Sequence, residues 1–123
     1  MKIILEYYKC PSWNQIAGRG HWTKRAEMMN YAHETIIETL MKHEKDWKHK
    51  FTEPVNIIVT AYLKREIDCD NVSCKGIIDG LKLVGTIKDD SPKYVTEVTT
   101  RVVKSKKDYT VIEIYESTKM DRN

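Results

Sequence analysis

The run Val55-Asn56-Ile57-Ile58-Val59-Thr60-Ala61-Tyr62-Leu63 constrains this chain more than any other segment. β-Branched side chains dominate it, and they prefer a pleated backbone to a helical one, so it reads as a central strand. Pro54 bounds it on one side, and on the other it leads to Asp68-Cys69-Asp70. A central strand needs neighbours. Ile3, Leu5 and Tyr7 alternate with Lys2, Ile4 and Glu6 in a short opening strand. Tyr94 to Val103 and Tyr109 to Tyr115 supply two more, flanking Lys104-Ser105-Lys106-Lys107-Asp108, a polar connector of hairpin length.

Helical periodicity fills the gaps between these strands. From His21 to Lys48, Trp22, Ala26, Met29, Ala32, Ile36, Leu40 and Trp47 recur at the spacing of one helix face, and Lys42, Lys45, Lys48 and Lys50 suit its C-terminal end. A second helix is expected over Val72 to Val84, capped by Asn71 or Ser73, buried through Ile77, Ile78, Leu81 and Val84, and ended by Gly85. Lys75, Asp79 and Lys82 fall on its other side, while Gly76 and Gly80 leave a flat strip that another element can approach closely. The expected fold is therefore α+β: one mixed sheet with two helices in the order β-α-β-α-β-β. At 123 residues and 41% hydrophobic content it forms one domain over 1–123, with 116–123 as a polar tail.

No stretch approaches the roughly 20 apolar residues that span a bilayer, and Met1 to Glu6 is too brief for a signal peptide, so a cytoplasmic protein is expected. Cys10, Cys69 and Cys74 are odd in number, which argues against a disulfide framework. A zinc site from these cysteines and a histidine is disfavoured, since Cys69 and Cys74 miss the usual ligand spacing. His43 and His49 do not share a helix face.

The net charge of +3 is modest, but its distribution is uneven. Between Glu6 and Glu27 there is no acid, and Lys9, Arg19, His21, Lys24 and Arg25 interleave with Tyr7, Tyr8, Trp13 and Trp22. Basic groups among aromatics suit a phosphate backbone with exposed bases. The same segment also reads as aromatics packed inward with solvated basic neighbours.

Asp68 and Asp70 stand two residues apart beyond a strand end, so on an extended backbone both carboxylates leave one face. With Asp89 and Asp90 from the turn after the second helix, they offer the oxygen ligands that Mg²⁺ or Mn²⁺ prefers. Such a cation would polarise a scissile phosphate, and Lys75, one helical turn past Asp70, would offset developing charge. The ordinary alternative is a surface pair of Lys75 with Asp79 and an acid-rich turn at Asp89-Asp90-Ser91-Pro92.

Taken in order, Asp68-Cys69-Asp70-Asn71, Lys75, Asp79-Gly80-Leu81, Gly85 and Asp89-Asp90 closely resemble the RusA family of crossover-junction endodeoxyribonucleases. Cys10-Pro11-Ser12-Trp13-Asn14 looks like that family's proline-serine-x-asparagine segment, and His21-Trp22-Thr23-Lys24-Arg25 is similar to its phage-associated branch. The resemblance implies metal ligands at Asp68, Asp70 and Asp90, an essential lysine at Lys75, and supporting roles for Asn71, Asp79 and Asp89, the last a possible substitute for Asp90. Lys75 departs from some members, which place the lysine three rather than four residues after the asparagine. The implied activity is Mg²⁺-dependent resolution of Holliday junctions by a homodimer, in a bacterial cell or encoded by its phage. Asn14, Arg19, Lys24, Arg25, Lys93, Lys104, Lys106 and Lys107 become candidate DNA contacts, and Trp13 or Trp22 a candidate for stacking on bases. A less selective flap or fork nuclease, or a non-catalytic DNA-binding module, are the alternatives.

Overall fold

The computed structural model describes residues 1–14 and 22–117. Its strands are β1 (Lys2–Leu5), β2 (Val55–Leu63), β3 (Val95–Lys104) and β4 (Tyr109–Glu116), and its helices α1 (Trp22–Met41), α2 (Glu44–Lys48) and α3 (Lys75–Leu83). The α+β class with a mixed sheet is as the sequence predicts, with one helix more. The four strands lie in the order β1-β4-β2-β3. β2 pairs antiparallel with β4 and parallel with β3, and β4 pairs antiparallel with β1.

β2 is the central strand that its composition demands, buried at every position except the half-buried Tyr62. Val55, Ile57, Val59, Ala61 and Leu63 join one core with Ile3 and Leu5 of β1, Ile112 and Ile114 of β4, Ala32, Ile36 and Leu40 of α1, and Ile77 and Leu81 of α3. At alternate positions Ile4, Val103 and Tyr115 are exposed, and Tyr62 stacks on its register partner Tyr109 with ring centroids 4.3 Å apart.

β3 and β4 are not a hairpin. Their connector bridges the end of β2, which lies between them: Ser105 N–H donates to Leu63 O at 2.9 Å, and Lys64 N–H donates to Asp108 Oδ1 at 2.8 Å. Loop length alone does not distinguish a strand's neighbour from the strand beyond it. The expected opening alternation also stops early. A turn after Leu5, closed by Tyr8 N–H to Leu5 O at 3.2 Å, leaves Tyr7 exposed and buries Tyr8, which stacks on Tyr31.

The expected long helix is two helices, α1 ending at Met41 and α2 beginning at Glu44. His43 leaves helical backbone at φ −128° and ψ 88°, which turns the chain toward β2, where Phe51 N–H donates to Thr86 O at 2.9 Å. Trp47 thereby leaves the buried stripe and stands partly exposed, with Lys50 Nζ 5.6 Å from its ring centre.

α3 ends as its sequence predicts. Gly85 takes φ 82°, and Thr86 N–H to Leu81 O at 3.0 Å with Gly85 N–H to Lys82 O at 3.1 Å form a Schellman closure. Lys50 Nζ adds a third contact by donating to Val84 O at 2.6 Å. The supposed tail at 116–123 starts inside the fold, since β4 runs through Glu116 and Ser117 is buried. Ser117 donates through its N–H to Pro54 O at 2.9 Å, and its hydroxyl meets those of Thr96 and the amide oxygen of Asn56.

The close approach expected at Gly76 and Gly80 is made by α1. A Cβ at Gly76 would lie 2.8 Å from Ala32 Cβ, and one at Gly80 would lie 2.7 Å from Ile36 Cδ1. Ala32 Cβ is anchored directly to the backbone and cannot swing aside. Gly76→Ala should therefore destabilise the protein by about 1–2 kcal/mol, although alanine normally gains about 1 kcal/mol over glycine in a helix. Urea unfolding measures this, and an increased midpoint would refute the close helix contact.

Candidate functional site

Beyond β2 the chain makes a single 3₁₀ turn, Cys69–Asn71, preceded by Asp68 and closed by Asn71 N–H to Asp68 O at 2.9 Å. Thr100 of β3 fixes this turn from the side, its hydroxyl donating to Cys69 O at 2.8 Å. Asp68 is itself extended, at φ −65° and ψ 140°, but the chain turns immediately after it, so the extended run expected through Asp70 is broken. The two-residue repeat that would place both carboxylates on one face is therefore not kept.

The next residues explain where α3 begins. Ser12 bridges Val72 in antiparallel fashion, Ser73 N–H donates to Pro11 O at 2.9 Å, and Cys10 Sγ donates to Ser73 O at 3.2 Å. These contacts hold Val72 extended at φ −76° and ψ 126°, so the helix starts only at Lys75, with Cys74 as its N-cap residue. The cap expected from Asn71 or Ser73 is not formed in the usual way: Asn71 lies in the 3₁₀ turn, and Ser73 Oγ reaches only Lys75 N–H, at a long 3.5 Å.

A cavity of about 430 Å³ opens between the 3₁₀ turn, α3 and β3. Asp70, Asp79, Asp90 and Lys75 line it, together with Trp13, Val72, Cys74, Ile78, Val98 and Thr100. Four of the predicted site residues thus meet at one place. Asp68, Asn71 and Asp89 are not on its wall, and Asp68 is exposed. Among the described residues, no three His, Cys, Asp or Glu side chains converge as a ready-made metal cage.

The acidic turn has an internal cation. Lys82 Nζ lies 3.1 Å from Asp89 Oδ1 and 3.8 Å from Asp90 Oδ1. The Lys82 hydrogen bond, followed by the Asp90 backbone, holds the Asp89 carboxyl below the ordinary carboxylate range, and Asp89 in turn raises Lys82. Cys74, on the cavity wall, is pushed up to about 11 by burial, so its thiol stays protonated at neutral pH. Burial also raises Cys10, whereas Cys69 is exposed.

The basic candidates lie elsewhere. Asn14, Lys24, Arg25, Lys93, Lys104, Lys106 and Lys107 are exposed and line no part of the cavity, and Lys107 Nζ sits 5.5 Å from the ring centre of Tyr109. Arg19 falls outside the described residues. Sequence reasoning missed Thr100 and Val98, which reach the site only through β2–β3 pairing, and Lys82 as the partner of Asp89 and Asp90. The Lys82 spacing did carry a signal, since it shares the polar side of α3 with Lys75 and Asp79.

A lowered carboxyl contributes stability that is present above its unfolded pKa and is lost as pH falls through the lowered folded value. For so exposed a pair this contribution is small. Carbon-detected NMR titration should place the Asp89 midpoint below the ordinary carboxylate range, and Lys82→Met should move it upward. An unchanged midpoint in Lys82→Met would show that the pair does not persist in solution.

Comparison of the chain with protein-family profiles and with curated proteins returns no match.

Proposed function

We propose that this protein is a metal-dependent endonuclease that resolves four-way DNA junctions by paired, symmetric phosphodiester hydrolysis, as its resemblance to the RusA family implies. The observation that carries the reading is the shared cavity of Asp70, Asp79, Asp90 and Lys75, which gathers residues from the 3₁₀ turn, α3 and the acidic turn after it. Mg²⁺ takes hard oxygen ligands, commonly one or two carboxylates besides water and phosphate oxygens, so this donor set suits it. Asp70 and Asp90 would hold the ion, with Mn²⁺ as a substitute. A third carboxylate at Asp68 requires that side chain to turn toward the cavity, whereas Asp79 already borders it.

When bound, the ion supplies Lewis-acid polarisation of the scissile phosphate and neutralises the clustered carboxylates. The chain's own residues do the rest. Asp70 and Asp90 would set where the ion, and through it the phosphate, sits in the cavity, and the Lys75 ammonium offsets charge that builds on the phosphate oxygens. Lys82 offsets part of the charge of the Asp89–Asp90 turn. A homodimer would place two such sites on the near-twofold junction, one for each cut. A bacterial cytoplasm, with the gene carried by the cell or its phage, accords with that substrate. Among the described residues no helix is long and apolar enough to cross a membrane.

One observation favours a second reading, a non-catalytic DNA-binding module: Lys82 already pairs with Asp89 and Asp90 without any metal ion. A synthetic four-way junction separates the two. With Mg²⁺ the protein should cut it at two symmetric points, and a chelator should abolish cutting. Loss of a residue that only hydrogen-bonds a metal ligand typically costs about 10–100-fold, so Asp70→Asn, which removes a direct ligand, should lower the rate about 100-fold or more while junction binding persists. Undiminished cutting in excess chelator overturns the metal mechanism, and binding without any cutting favours the module. Relative rates on flaps, forks and junctions identify a less selective nuclease.

A further inference from the structure

The cavity is lined by two kinds of residue. Asp70, Asp79, Asp90 and Lys75 are charged, while Trp13, Val72, Ile78 and Val98 are apolar. The charged residues, with the cation they would hold, account for a phosphate, but the proposed hydrolysis makes no use of the apolar ones. Trp13 is 43% exposed, and Val98 44%, so neither is a core residue that happens to graze the cavity.

Nor is Trp13 at the tip of a loose loop. The residues before it are tied to the segment after Asp70: Ser12 bridges Val72, Pro11 O accepts from Ser73 N–H, and Cys10, 2% exposed, donates to Ser73 O. The indole is therefore carried on backbone fixed to the same strand of chain that presents Asp70 and Lys75. Fixing an aromatic in advance lowers the entropy lost when a ligand stacks on it.

A nucleotide offers a partner for each kind of residue, an anionic phosphate joined through the sugar to a flat, largely apolar base. A volume of about 430 Å³ lies within the roughly 300–1,000 Å³ of small-ligand sites. We infer that Trp13 is the stacking platform for the nucleobase beside the phosphate held in this cavity, and that it selects DNA whose bases are already unstacked. The inference rests on the nuclease reading above. In a continuous duplex the base is sandwiched by its neighbours and must be extracted at a free-energy cost, whereas at a branch point that cost is lowest. Trp13 touches no reacting bond. It is a specificity-determining residue, acting on which DNA enters.

The test uses the full chain with Ca²⁺, a hard oxygen-seeking cation, in place of Mg²⁺, and junctions carrying the fluorescent base 2-aminopurine at successive positions around the crossover. Wild type and Trp13→Phe should quench one position beside the crossover. Trp13→Leu, which keeps an apolar side chain but has no π face, should not, and its junction affinity should fall about 5- to 100-fold with duplex affinity unchanged. Trp13→Ala should give the same loss, and melting curves check that each variant is folded. Quenching and affinity in both Leu and Ala variants equal to wild type overturn the stacking assignment. Wild type that cuts junctions with Mg²⁺ beside an equally active Trp13→Leu overturns this inference alone, whereas wild type that neither binds nor cuts branched DNA overturns the nuclease reading itself.

Discussion

Everything in this molecule is organised by the double pairing of β2. Its backbone is hydrogen-bonded to β4 on one edge and to β3 on the other, and almost all of its side chains are buried. Each fully buried aliphatic residue contributes about 1.5–3 kcal/mol relative to exposure, so the alternating Val55, Ile57, Val59, Ala61 and Leu63 anchor the core from one end of the strand to the other. Remove β2 and the sheet falls into a β1–β4 pair and an isolated β3. The 3₁₀ turn, α3 and β3, which together enclose the cavity, all take their positions from the two ends and one edge of this strand.

The contact of α3 with α1 sets the second coordinate of the site. With no Cβ at Gly76 or Gly80, the helices meet backbone to side chain, and the side of α3 that carries Lys75 and Asp79 is left to face the cavity. Two constraints of different kinds therefore converge: strand pairing brings in Thr100 and Val98, and helix packing brings in Lys75 and Asp79. The bridge from Ser12 to Val72 adds the third wall by pinning the start of the chain to the beginning of the motif segment.

What was legible in the sequence follows the range over which each signal acts. The β-branched run, the stripe on α3 and the closure at Gly85 are local preferences, and the structure has them where the residues put them. The break at His43 was not legible, because the apolar period continues to Trp47 and only the distant tie of Phe51 to Thr86 draws the chain away. The splitting of Asp68 from Asp70 was hidden for the same reason. Nothing within the motif demands a 3₁₀ turn, and one of its supports, Thr100, lies on another strand. Asp70, Asp79, Asp90 and Lys75 could be chosen from spacing and resemblance, but their common cavity could not, since it depends on the parallel alignment of β3 with β2.

The connector over the end of β2 has a consequence for how the chain reaches this state. Residues 105–108 are short enough to close β3 directly onto β4, and that pairing is the most local one available to either strand. Loops of this size close orders of magnitude faster than the long excursion from β2 through α3. A β3–β4 hairpin is thus a competing early partner, and the native sheet requires β2 to occupy the space between the two strands. The order in which edges become available, rather than the depth of the core, then governs the speed of folding.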